Sequence, residues 1–249
     1  PLWSRGLGDV YKRQGRVLGW GLLGYCGLAL AQPAEVPEGY RIAQQVLVGD
    51  GSVLEVLEDV RITPQLHADS WGNGLDADSF AEPEGDQPSA PLGAQARLVS
   101  DSGEVLAQKS LGYPMATVEK APLNGLPSPA FFLTIDQTAP MGSYSGPATQ
   151  VLMPEQNQLD PVLCQGEGAE KQPLLFAQTG KAAWQIVPSV GGGTESIQQV
   201  SSASSMENEE FVTTYRTFRY ADGQWTVTTR QQAGYWDTES EFPEPALFP

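Results

Sequence analysis

Residues 129–154 read PAFFLTIDQTAPMGSYSGPATQVLMP, and the fold turns on how this stretch is read. Ala130-Phe131-Phe132-Leu133-Thr134-Ile135 is the densest apolar run outside the N-terminal segment. Aromatic and branched residues in a short run, bounded by proline and by polar turn formers, predict a strand buried in a core. Asp136 marks the exit from that strand. Residues 137–147 carry Gly, Ser, Thr and two prolines and predict a loop, after which 148–153 resume as a strand. A rigid strand that delivers a carboxylate and a hydroxyl-rich loop to one edge is how scaffolds present binding groups. Asp136, Ser143, Tyr144 and Ser145 are therefore the candidate ligand-contacting residues.

Working outward, the same grammar recurs as hairpins. Residues 42–48 and 53–62 flank the turn cluster Gly49-Asp50-Gly51-Ser52. Ser52-x-x-Glu55 would also suit a helix-opening capping box, but Leu54, Val56, Val60 and Ile62 share one strand face, and a strand is the expectation. Residues 95–100 and 104–110 flank Asp101-Ser102-Gly103. Further strands are expected at 173–178, 183–187 and 195–201, the last two separated by Gly191-Gly192-Gly193. The clearest hairpin is 211–231, where alternating residues surround Asp222-Gly223, a dipeptide suited to a type I′ turn. No long segment has a helical period. The chain is expected to be all-β: an antiparallel hairpin meander, sandwich-like or an open barrel, with little or no helix beyond the leader.

The leader itself is residues 15–31, GRVLGWGLLGYCGLALA. One basic residue precedes a short uncharged apolar core ending in Ala29-Leu30-Ala31, the pattern of a cleaved secretory signal. The core is shorter than the ~20 residues a membrane-spanning helix needs. Residues 1–14, containing LGDVYKRQ, look like translated adapter sequence and are set aside. The expected β domain is 32–238, with lobes at 40–113 and 129–238 around a proline-rich joint at 114–129, and 239–249 as an extended, lightly held tail.

Charge narrows the partners. The formal net charge is −16, and loss of the leader, with Arg5, Lys12, Arg13 and Arg16 against Asp9, makes the remainder more acidic. Such a surface repels phosphate backbones, which argues against nucleic acid, and it disfavours anionic membranes. No stable membrane insertion is expected after leader cleavage. Cys164 is the one cysteine outside the leader, so no internal disulfide is expected; a periplasmic or secreted protein of this kind is held together by apolar burial.

Residues 63–93 are a long polar insertion, and loops beyond about 12–15 residues are usually functional or disordered. Asp69, Asp76, Asp78 and Glu82 crowd it with the oxygens that calcium prefers. The spacing departs from the EF-hand pattern, and a solvated acidic loop is the commoner explanation. His67, the sole histidine, is expected at the surface. Gly142-Ser143-Tyr144-Ser145-Gly146 lacks the central serine of a nucleophile elbow. The tryptophans and tyrosines outside the leader are expected mainly as core and cross-strand packing, with exposed rings as sugar-stacking platforms the sharper alternative.

Three functional readings follow. The leading one is an exported bacterial β-rich module, non-enzymatic, that binds a ligand or an envelope protein. The second is a hydrolase of cell-envelope or polysaccharide material using paired carboxylates. The third is a structural module stabilised by calcium.

Overall fold

The computed structural model describes residues 34–49, 51–75, 90–139, 142–154, 158–166, 168, 170–189, 193–205 and 210–249. The leader, residues 1–14, the loop carrying Asp76, Asp78 and Glu82, and Asp50, Gly191 and Gly192 lie outside them. Among the described residues fourteen strands form three open sheets. The first holds β1 (Tyr40–Leu47), β2 (Val53–Asp59), β3 (Gln95–Val99) and β4 (Val105–Ser110) in sequential order. The second runs β10-β7-β6-β5, from Leu175–Ala177, Pro147–Leu152, Phe131–Asp136 and Ala116–Lys120. The third runs β11-β12-β13-β14-β8-β9: Ala182–Val187, Ser196–Ser204, Phe211–Ala221, Gln224–Ala233, Leu163–Gln165 and Lys171–Pro173. Pairing is antiparallel except between β14 and β8. The described residues are all-β and sandwich-like, with no closed barrel among them.

The apolar run of β6 explains the layering. Phe131, Leu133 and Ile135 pack with Leu54, Val56, Ala96 and Leu98 of the first sheet. Phe132, one residue out of phase, packs with Val151 and Phe176 of its own sheet and with Ile197, Phe218 and Val227 of the third sheet. The second sheet is therefore the middle layer. A strand buried on both faces has no solvent side and needs no polar alternation, so its sequence is a continuous apolar run. Thr134 and Thr149, opposite each other on β6 and β7, satisfy their hydroxyls mutually at 2.9 Å.

Local chemistry sets the remaining elements. Asp222 and Gly223 both have positive φ, 52° and 78°, as the β13–β14 turn requires. Residues 53–59 are strand, not helix, and their acidic members are buried and paired: Glu55 with Arg97, Glu58 with Arg41, Asp59 with Arg61.

Three stretches hold structure that their sequence does not announce. The proline-rich joint contains β5, which pairs with β6 from Ala116↔Ile135 to Lys120↔Phe131. An edge strand needs only Ala116 and Val118 turned inward, too few to stand out between prolines. The insertion contains helix α1, Pro64–Ser70, capped by Thr63, whose Oγ1 accepts from the Leu66 amide at 3.1 Å. Seven residues are too few to show a helical period, although Thr-Pro at the start is a recognised helix-opening pair. The tail is docked, not lightly held. Phe248 is 8% exposed, and it packs with Trp236, Tyr215 and Val200 on the outer face of the third sheet. Arg219 also donates to the Pro249 carbonyl at 2.8 Å. No helix among the described residues is long and apolar enough to cross a membrane.

Candidate functional site

Asp136 ends β6 with its side chain buried. One carboxylate oxygen accepts from the Gly72 amide at 2.9 Å. The other accepts from the Thr138 amide at 3.0 Å and from the Thr138 hydroxyl. Both oxygens are thus committed to backbone and to a neighbouring side chain, and Asp136 fastens the loop that follows it onto the turn after α1. Ser145 is similarly engaged, its Oγ accepting from the Ala139 amide at 3.0 Å. Ser143 and Tyr144 are the exposed members of the four expected ligand-contacting residues.

What holds Tyr144 outward is backbone contact. A Cβ at Gly146 would lie 2.1 Å from the Gln178 carbonyl oxygen, and one at Gly180 would lie 3.0 Å from Ser143 Cβ. Only glycine lets the 142–146 turn rest directly on the 178–181 turn. The second turn is tied in its own right. The Lys181 amide donates to Thr179 Oγ1, the Lys181 carbonyl accepts from the Ser202 amide, and the Gly180 carbonyl accepts from the Thr238 amide. Phe211 opens β13 and its carbonyl accepts from the Gly234 amide, which places Tyr235 beside it. The two rings meet edge to face at 4.7 Å.

These segments converge on Lys181. Its Nζ lies 4.2 Å from the Tyr144 ring centroid, 4.8 Å from that of Phe211 and 5.5 Å from that of Tyr235, and it donates to the Tyr144 hydroxyl at 3.0 Å. Tyr144 is 55% exposed and Tyr235 53%. Partial desolvation, then the Asp237 carboxylate, push the Tyr235 phenol upward. The result is an open aromatic cluster around one ammonium, a geometry in which the electron-rich ring faces attract positive charge. Most other aromatics follow the packing expectation: Trp184 meets Phe132 and Phe176, Trp225 meets Tyr220, and Trp236 is buried.

Sequence reasoning reached Tyr144 but not Lys181 or Phe211. Lys181 belongs to a polar turn with no local signature, and only the fold brings it to the rings.

The acidic insertion looks different. Asp69 sits on α1, exposed, with both oxygens accepting from Gln65 Nε2 at 2.8 Å. Asp76, Asp78 and Glu82 lie outside the described residues, among which no three His, Cys, Asp or Glu side chains gather as a metal site. His67 is half-buried rather than superficial. Its Nδ1 lies 2.8 Å from Glu58 Oε1 and its ring stacks on Trp71 at 5.1 Å. The short helix turns it inward toward a buried carboxylate, an attraction invisible in a polar stretch.

The buried acids are occupied structurally. Glu55 accepts from Arg97 and Gln45, and Glu58 from Arg41 and the Ala116 amide. Asp59 accepts from Arg61 and the Leu92 amide. Arg61 holds the Asp59 carboxyl down at about 2. Desolvation raises the Glu119 carboxyl on edge strand β5; paired-carboxylate hydrolysis would need a second acid across a cleft from such a group. Burial also raises the Cys164 thiol, which makes it a poor nucleophile. No protein-family model, curated protein or solved structure matches the chain.

Proposed function

We propose that this chain is an exported, non-enzymatic binding module whose contact surface is the Tyr144–Lys181–Phe211–Tyr235 cluster. The observation that carries the reading is the pair of half-exposed phenols, Tyr144 and Tyr235, around an ammonium held within 5.5 Å of both ring centroids. Large rings left in solvent, anchored from behind by glycine-tight turns, offer contact area at small conformational cost. They are also among the residue types that dominate binding energy when they become buried. The buried acids, by contrast, are tied to arginines, amides and a histidine, which leaves them to architecture. A signal-like leader and the acidic composition favour action outside the cytoplasm, in the periplasm or medium.

The test is a melting-temperature screen against a small-molecule library, run in parallel on residues 32–249 and on the Y144A/Y235A variant. Ligands that bind the native state raise its stability by mass action. Hits that stabilise the wild type and not the variant support this surface. Hits that stabilise both equally, or a screen with none, overturn it.

A further inference from the structure

We infer that the Tyr144–Phe211–Tyr235 cluster is a cage for the alkylammonium group of a ligand, and that Lys181 is its resident competitor. This rests on the binding-module reading and adds the chemical class of the ligand. Three observations carry it. First, three rings from three separate segments place their centroids 4.2, 4.8 and 5.5 Å from one nitrogen. That spacing is the range in which ring faces attract a cation, and enclosing a quaternary ammonium is the recurrent use of such rings. Second, the occupant is easily released. Among the described residues Lys181 forms no ion pair with a carboxylate. Leaving the cage therefore gives up ring contacts and the bond to the Tyr144 hydroxyl, and returns a strongly hydrated ammonium on a flexible stem to water. Third, the surrounding field selects the sign of the ligand. A chain at −16 concentrates cations and repels anions over its surface. Asp237, whose carboxylate acts on the Tyr235 phenol, adds negative charge at the rim.

An anionic ligand reaching for Lys181 would work against that field, and a neutral one would gain ring contact without the cation–ring attraction. An alkylammonium gains from both. On binding, its headgroup replaces Lys181 Nζ among the rings and the lysine swings outward. Because the free protein is partly self-occupied, apparent affinity is reduced by the fraction of molecules with the cage open.

The experiment is an NMR titration of residues 32–249 with choline, and with 3,3-dimethylbutan-1-ol as the uncharged isostere. Choline is expected to bind the wild type at least about fivefold more tightly than the isostere, since cation–ring attraction is absent from the latter. K181A and K181M, which remove the competitor, are expected to bind choline about three- to tenfold more tightly, and Y144A and Y235A to lose it. In the wild type the Lys181 ε-methylene protons, shielded by the rings, should move downfield toward free-lysine values as choline saturates. That readout holds even if a Lys181 variant folds poorly.

Equal binding of the isostere overturns the inference, as does unchanged or weaker choline binding by both Lys181 variants, or a Lys181 signal that stays shielded at saturation. Absence of choline binding by wild type and variants alike also overturns the alkylammonium class, while leaving the surface to be judged by the library screen. Choline binding that survives in Y144A and Y235A overturns the placement, and with it the proposed contact surface.

Discussion

Asp136 Oδ2 accepts the amide proton of Gly72 at 2.9 Å, across 64 residues of sequence. The bond joins the strand at the centre of the middle sheet to the turn that ends helix α1, and it is made by a carboxylate that is buried. The loop after β6 and the polar insertion are therefore one structural corner. Tyr144, later in the same loop, bonds to Lys181 instead.

Replacing Asp136 with alanine leaves the Gly72 and Thr138 amides without their acceptor in a partly buried setting. A loss of about 1–3 kcal/mol is expected from urea unfolding, since unsatisfied buried donors carry their full desolvation cost. Asn at the same position keeps one acceptor oxygen and should cost less. The NMR signals of Tyr144 and Lys181 should change little in D136N. A variant as stable as the wild type would show that the bond to Gly72 is replaceable by water.

Much of this fold was legible because its signals are local. The run Ala130 to Ile135, the Asp222-Gly223 turn and the alternation around Phe218 each state their conformation within a few residues, and the all-β reading follows. What escaped was set by partners remote in sequence. β5 is a strand because Ala116 and Val118 lie beside β6. α1 is a helix because Thr63 and Pro64 open it and Glu58 holds His67. The candidate site shows the same division: Tyr144 announced itself inside a glycine-bounded turn, whereas Asp136, equally prominent in sequence, is a structural fastener. Lys181 acquires its meaning only from three rings supplied by other segments.

The buried pair Arg97–Glu55, 1% and 2% exposed, yields a second prediction. Arg97 also donates to the carbonyls of Glu35 at 2.7 Å and Ala34 at 3.3 Å, pinning the segment that leads into β1. R97A leaves the Glu55 carboxylate buried without its cation and should cost about 3–5 kcal/mol. Removing both charges with E55M/R97M should cost clearly less, because the isolated charge is the expensive species. Urea unfolding of the single and double variants measures this; a double variant worse than R97A would mean the pinned carbonyls, not the charges, dominate.

Asp59 sets an acid limit. The Arg61 guanidinium bonded to it, together with the Leu92 and Arg61 amides, outweighs its desolvation and lowers its carboxyl from 3.8 to about 2. A group whose folded value is depressed contributes stability above its unfolded value and loses it as pH falls through the folded one. The contribution should be complete above pH 4 and vanish progressively toward pH 2, amounting to about 2 kcal/mol. In D59N that part of the pH dependence should flatten. A wild type and a D59N variant whose stabilities fall in parallel between pH 4 and pH 2 would assign the acid transition to other carboxylates.

Two aromatic residues should separate architecture from binding. Phe132 is buried and touches Phe176 and Trp184 with ring centroids 5.7 and 5.5 Å away. F132A opens a cavity between the middle and third sheets, and a loss of about 3–5 kcal/mol is expected. Tyr144 lies half in solvent, and its contacts with Lys181 are a surface cation–ring pair and one exposed hydrogen bond. Y144A should therefore cost no more than about 1 kcal/mol. Urea unfolding of both variants gives the comparison. A Y144A loss approaching that of F132A would make the ring a structural wedge between the 142–146 and 178–181 turns, and its exposure a by-product of packing. A small loss leaves Tyr144 with no architectural reason to be aromatic, which is what a ring kept for a ligand requires.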